Sequence, residues 1–301
     1  MSKIKNFLLL TNPYSGLKQG KEIVQKILPI LNKKSINPKI LYTEYEGHAK
    51  EICRSNLIKD YSDLIIIGGD GTFSEAINGL LLREDKIYPN LGFIPGGSGN
   101  SLMHHLNILD PIKAVQPIIE NKTQRLDVMK IVSENFIEYS INIVGWGVAT
   151  DIGATAEKIR WMGRSRYTIA SFYHILKLKK RHAALTLNGI KQEKRFIFIL
   201  VCNTQYTGTG MQAAPNAQLN DGMFDVIILN QHITRLELMQ LLPKIFTGEH
   251  IQSKHVEYIQ TDTLKLEPRY SEALNIDGEI KLSTPISLKI LRGILTYYRC
   301  Y

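Results

Sequence analysis

Over roughly the first 120 residues, short unbroken apolar runs alternate with stretches whose apolar positions recur every three to four residues. The unbroken runs predict strands at Phe7–Leu10, Lys39–Thr43, Asp63–Ile67 and Leu91–Ile94. Between the first two, Gln19–Lys33 sets Ile23, Ile27, Leu28 and Leu31 on one helical face. Further helices are predicted from His48 to Asn56, Phe73 to Leu82, Ser98 to Leu106 and Ala114 to Glu120. Strands alternating with helices predict a parallel sheet covered on both faces, which is an α/β domain. Ligands of such sheets sit beyond the carboxyl ends of the strands, and this is where the chain places its glycine-rich loops.

The pattern changes near Thr123–Asp127. From Val128 onward strands dominate: Val128–Val132, Phe136–Val144, Ala184–Leu187, Arg195–Cys202, Met223–Leu229, Val256–Thr261 and Thr263–Glu267. Asn188-Gly189, Asn220-Asp221-Gly222 and Asp277-Gly278 supply turns between strands. This predicts an antiparallel, β-sandwich-like domain, interrupted by helices near Ala156–Lys180 and Arg235–Phe246. The domains are drawn as 1–128, an α/β domain, and 129–301, a β-rich domain. The final strand, Ile286–Leu295, is open to either of them.

Two loops carry the chemistry. Residues 65–78 read IIIGGDGTFSEAIN and residues 92–100 read GFIPGGSGN. Each is an apolar strand running into glycines, which let backbone N–H groups approach an anion closely. A helix that starts just after such a loop adds its positive end. Asp70, an acid among these amides, suits a metal ion or a hydroxyl proton. Neither loop is a Walker A motif, and the first lacks a full dinucleotide fingerprint, because Ser74 stands at the third glycine position.

Composition narrows the classes. The chain has 301 residues, 44% hydrophobic and 22% charged, as ordinary globular proteins do. Its formal net charge of +9 favours an anionic partner. Cys53, Cys202 and Cys300 form no CxxC pair, which excludes a zinc site built on paired cysteines and fits a reducing compartment. The opening MSKIKNFLLLTNP reads as a first strand, and no segment reaches the ~18 apolar residues that span a bilayer. A cytoplasmic protein visiting anionic membrane surfaces is expected. No nucleic-acid reader motif accompanies the charge. IASFYHILKLKKR at 169–181, apolar first and basic last, suits a helix lying on an anionic bilayer or lining a lipid pocket.

Taken together, TNPYSG, GGDGTFSEAINGL, PGGSGNS, RLDV at 125–128, GWGVATDIGATAEKIRWMGRSRYT, APNAQLNDGMFDV and NIDGE at 275–279 resemble the diacylglycerol kinase catalytic-domain family. That family includes diacylglycerol, sphingosine and ceramide kinases, and the resemblance covers nearly the whole chain. It implies an ATP- and magnesium-dependent phosphoryl transfer to the primary hydroxyl of a membrane lipid. Gly68, Gly69, Gly71 and Thr72 would cradle the nucleotide phosphates, with Gly96, Gly97 and Ser98 on the other side. Asn12 and Thr43 would approach the nucleotide, and Ser15 and Gly16 would border its phosphates. Asp70 and Asp127 would serve the magnesium ion. The base is Asp70 by likeness to the sphingosine kinases and Glu279 by likeness to bacterial diacylglycerol kinases. Asp277 would complete the acidic cluster. Arg160 and Arg166 would hold phosphates, and Glu75 would help position nucleotide or metal. Asp151 would face the lipid head group. One departure is Gly153, which stands where the sphingosine kinases carry the acid that recognises the amine. A homodimer is a further expectation.

Two other readings are weighed against this one. An NAD kinase shares the GGDG loop and the two-domain plan, but PGGSGNS, RWMG and the late DGE oppose it. A non-catalytic nucleotide or lipid sensor would have lost Asp70 or the DGE acids, and this chain retains them.

Overall fold

The computed structural model describes residues 5–16, 18–134, 136–159, 161–162, 166–208 and 210–299. The chain divides into two compact units, Met1–Val128 with Arg292–Tyr301, and Met129–Leu291.

In the first unit, β1 (Phe7–Thr11), β2 (Lys39–Tyr42), β3 (Asp63–Gly68) and β4 (Asn90–Pro95) form a parallel sheet in the order β2-β1-β3-β4. The C-terminal part of the last strand joins it in parallel, Tyr297 pairing with Leu91. Leu64–Ile67 are fully buried, so both faces of β3 are covered and its sequence has no reason to alternate. The connecting helices are α1 (Gly20–Asn32), α2 (His48–Arg54), α3 (Asp70–Leu81), α4 (Ser101–His105) and α5 (Gln116–Ile119). Two starts differ from the sequence reading. The helix expected from Phe73 begins at Asp70, directly after Gly69. The one expected from Ser98 begins at Ser101, because Asn100 takes a left-handed conformation with φ of 52° and turns the chain first.

The second unit opens within β5 (Thr123–Ser133), which pairs antiparallel with β6 (Phe136–Ser140). The run expected as one strand over Phe136–Val144 is two, β6 and β7 (Ile143–Gly147). The break has a chemical cause, since the backbone N–H groups of Ile141, Asn142 and Ile143 all donate to the carboxylate of Asp277. Next come α6 (Val148–Lys158) and α7 (Arg166–Lys177), where a helix was expected near Ala156–Lys180. The early start of α6 follows Gly147, whose φ of 85° turns the strand into the helix.

Strands β8 (Arg181–Leu187) and β9 (Ile190–Cys202) form a hairpin through Asn188-Gly189, both at positive φ as a type I′ turn requires. The far half of β9 pairs with β7 on one side and with β10 (Phe224–Asn230) on the other. After β10 come α8 (Arg235–Leu241), β11 (Val256–Thr261), β12 (Thr263–Pro268), β13 (Ala273–Ile276), β14 (Glu279–Ser283) and β15 (Ile286–Tyr298). Beyond α8 the chain tightens into a 3₁₀ turn over Leu242–Phe246, where Pro243 has no N–H to continue the α-helical ladder. One core joins inward residues of several strands, among them Met129, Trp146, Phe196, Phe224 and Leu266. The chain passes between the units within β5 and again within β15.

Candidate active site

The loops after β1, β3 and β4 meet at the carboxyl edge of the first unit's sheet. Their contact is backbone on backbone. A Cβ placed on Gly97 would lie 2.4 Å from the Cα of Gly69, and one on Gly16 would lie 2.6 Å from the carbonyl oxygen of Gly96. No other residue type fits either position, and Gly16 also holds a φ of 58°. The last bond of the β3–β4 ladder, Gly96 N–H to Gly68 O at 2.7 Å, brings the two glycine loops together. Asn12 fastens the third loop. Its N–H donates to Ile67 O, its Oδ1 accepts from Tyr14 N–H, and its Nδ2 donates to Thr72 Oγ1 at 3.2 Å. Ser15 and Thr72 are buried, and Ser98 is exposed at the loop tip.

Asp70 is the first residue of α3, and its carboxylate reaches across to the start of α4. It accepts from Ser101 N–H at 2.8 Å and from Leu102 N–H at 3.2 Å. Burial raises its pKa, and these two amides oppose the rise. Asn100, just before α4, closes the second loop on itself, accepting from Gly97 N–H and donating to Gly97 O. Sequence reading missed the parts played by Asn100 and Ser101. The available signal was Ser-Gly-Asn ahead of an apolar helix, an N-terminal capping pattern.

Several expected nucleotide residues have other partners. Glu75 accepts from Ala49 N–H at 3.2 Å, so its carboxylate caps α2, one helix over. Thr43 is buried, and its N–H extends the β1–β2 pairing to Thr11 O. Asp127 is fully buried, and its Oδ1 accepts from Gly293 N–H at 2.5 Å. Among the described residues, no group of three or more His, Cys, Asp or Glu is placed to hold a metal ion. Magnesium does not need one. It usually keeps several waters and takes one or two carboxylates plus substrate phosphates.

In the second unit, Asp277 and Gly278 form the β13–β14 turn at φ of 51° and 96°. The Asp277 carboxylate is buried and takes Ser140 Oγ at 2.6 Å, besides the three amides of 141–143. Burial raises its pKa against those donors. Its oxygens are thus committed to shaping the turn. The next acid, Glu279, has a side chain 41% exposed and pairs with Lys281 Nζ at 2.6 Å.

Beside that turn lies an apolar cavity of about 200 Å³. Ile197, Phe198 and Leu200 of β9 line it, as do Ile152 of α6, Ile175 of α7 and Leu238 of α8. Gly278 lines it too, so the chain segment carrying Glu279 borders the cavity directly. Asp151, expected to face a lipid head group, is not among the lining residues. Helical spacing sets Val148, Ala149, Ile152 and Gly153 on the cavity and turns Asp151 to Arg181, whose Nη2 lies 2.6 Å away. Arg166, at the start of α7, faces Glu157 across 3.7 Å, and Arg160 lies outside the described residues.

This combination of an α/β unit with paired glycine loops and a β unit with an apolar cavity defines a class that comparison with known proteins names. The diacylglycerol kinase catalytic domain model matches residues 6–131, and the YegS C-terminal NAD kinase beta sandwich-like domain model matches residues 142–299. The chain belongs to this lipid kinase family, whose members include sphingosine kinases and bacterial diacylglycerol kinases. It is 28% identical to sphingosine kinase 1 of Arabidopsis thaliana, over 93% of this chain and 69% of that protein. It is 28% identical to the diacylglycerol kinase of Staphylococcus carnosus, over 98% of this chain and 95% of that one. A diacylglycerol kinase structure from Bacillus anthracis shares the fold with a TM-score of 0.76 at 22% identity, covering 100% of this chain and 98% of that one. An NAD kinase from Archaeoglobus fulgidus in complex with ATP is a distant neighbour, with a TM-score of 0.53 at 12% identity over 98% of this chain and 94% of that one.

Proposed function

We propose that this protein transfers the γ-phosphoryl group of ATP to the primary hydroxyl of a membrane lipid of the diacylglycerol or sphingoid class. The observation that carries the reading is the meeting, within the second unit, of the Asp277-Gly278-Glu279 turn with an apolar cavity through Gly278. An acid one residue beyond the cavity-lining Gly278 suits a lipid hydroxyl and has no evident use for a dinucleotide.

In this reading the glycine loops of the first unit hold the phosphates with backbone N–H groups, which cost no reorganisation because the loops are already locked on one another. A magnesium ion would neutralise charge on the phosphates, held through Asp70 and water. Asp70 and Glu279 are the two candidates for taking the hydroxyl proton. The transition state of phosphoryl transfer is loose, so positioning matters more than base strength. Asp127 and Asp277 act as positioning residues, the one on β5 holding Gly293 of the last strand and the other on the turn that presents Glu279.

The membrane is the proposed source of the substrate. Helix α7 turns Ile175 to the cavity while Ile169, Phe172, Tyr173 and Leu176 are exposed on its outer side, followed by exposed Lys177, Lys179 and Lys180. An apolar stripe rimmed by lysines fits the boundary of an anionic bilayer. Among the described residues no helix is long and apolar enough to cross a membrane.

The test is transfer of labelled γ-phosphate from ATP with magnesium to diacylglycerol, ceramide, sphingosine and NAD, for wild type and Asp70→Asn. A phosphorylated lipid whose formation falls by about 100-fold or more in the variant supports the reading. Phosphorylated NAD with no phosphorylated lipid would overturn it.

A further inference from the structure

The lipid kinase reading leaves the head group open, and any choice of head group rests on that reading for the cavity's occupant. The described residues lining the cavity include three side chains with hydrogen-bonding groups, Ser171, Thr207 and Asn275, and no Asp, Glu, Lys, Arg or His. A long-chain amine brought here would strip its ammonium of water and find no counter-charge on the lining, an arrangement that proteins avoid.

Asn275 makes the preference specific. It sits on β13 beside the acid turn, and its Oδ1 accepts from Gly278 N–H at 2.9 Å. That bond fixes which end of the amide is which, so Nδ2 is the end directed at Gly153 of α6. A Cβ on Gly153 would lie 2.6 Å from this nitrogen. Glycine at 153 therefore leaves the space into which the amide projects. Both residues line the cavity, and among the described residues Nδ2 has no hydrogen-bond partner.

We propose that Asn275 reads the head group, and that the substrate is a lipid whose head is uncharged and carries a carbonyl acceptor next to the accepting hydroxyl. An ester of a glyceride and an amide of an N-acylated base both offer that acceptor. Either would satisfy the free donor of Asn275, whereas an ammonium would meet the positive end of its dipole.

The test uses the full chain with dioctanoylglycerol, a short-chain ceramide and sphingosine in micelles. Binding is read by calorimetry without ATP, and phosphoryl transfer is read separately with ATP and magnesium. Asn275→Asp is isosteric and keeps the acceptor for Gly278, while Asn275→Ala removes both ends. Wild type is expected to bind at least one neutral lipid about tenfold or more tighter than sphingosine. Asn275→Asp is expected to narrow or invert that ratio by about tenfold, and Asn275→Ala to weaken the neutral lipid without gaining the amine. Preference for the ester or for the amide, with sphingosine last, supports the proposal and names the source of the carbonyl. Tighter binding of sphingosine by wild type, or an unchanged ratio in Asn275→Asp, overturns it. Selective binding of the neutral lipid with no transfer would overturn the kinase reading while supporting this one, and failure to bind any lipid would overturn both.

Discussion

Asp70 and Asp225 are carboxylates that burial drives toward their neutral forms, with different consequences. Asp70 keeps two helix-terminal amides as partners, which oppose the rise and hold its carboxyl in one direction. Asp225, on β10, lies between Cys202 and Gln260 on its neighbouring strands, and burial pushes its pKa up to about 6 from an ordinary 3.8. A carboxyl whose folded pKa is raised holds its proton to higher pH than the unfolded chain does. Its contribution therefore favours the fold below about pH 4 and is lost as the pH rises through about 6. Asp225→Asn should flatten the stability profile between about pH 4 and 6 and raise stability at pH 7 by about 2–3 kcal/mol, as denaturant titration at several pH values would measure. At this scale the sequence reveals which residues carry chemistry but not which partners they meet. GGDG marks Asp70 through local pattern, whereas the Glu75 contact with Ala49 N–H depends on where another helix ends.

Among elements, the β13–β14 hairpin shows how one carboxylate shapes the backbone around it. Asp277 takes the amides of Ile141, Asn142 and Ile143, which ends β6, lets β7 begin and fixes the turn before Glu279. Asp277→Ala would leave those amides without their acceptor in a buried place and Ser140 Oγ with only the Ile143 carbonyl. It is expected to cost about 2–4 kcal/mol of stability, against less than half as much for Asp277→Asn, which still accepts and tolerates positive φ. Thermal and denaturant unfolding of the two variants would check the difference. The turn itself was legible in the sequence, because Asp-Gly satisfies a purely local demand for positive φ. The division of Phe136–Val144 was not, since the carboxylate responsible stands more than 130 residues away in the chain.

For the whole molecule, a formal net charge of +9 and the exposed stripe of α7 lead to one expectation. Binding to vesicles that contain anionic lipid should fall steeply as salt rises, and the pair Phe172→Glu and Leu176→Glu should weaken it by about tenfold or more without lowering thermal stability. Co-sedimentation across a salt series reads both effects, and binding that ignores salt and substitution alike would remove the membrane from the proposal. The fold class was legible at this scale because burial on both faces of a parallel sheet, or on one face of an antiparallel one, leaves its period in the sequence. The sequence by itself determined the alternation of elements, the glycine loops at strand ends, the acids and the turn chemistry, all of which rest on interactions within a few residues. Only the tertiary structure decided that Gly97 presses on Gly69, that Asp151 turns to Arg181, and that Asn275 projects toward Gly153 beside an uncharged cavity. Those facts join segments distant in the chain, and their geometry is set by packing that no local pattern encodes.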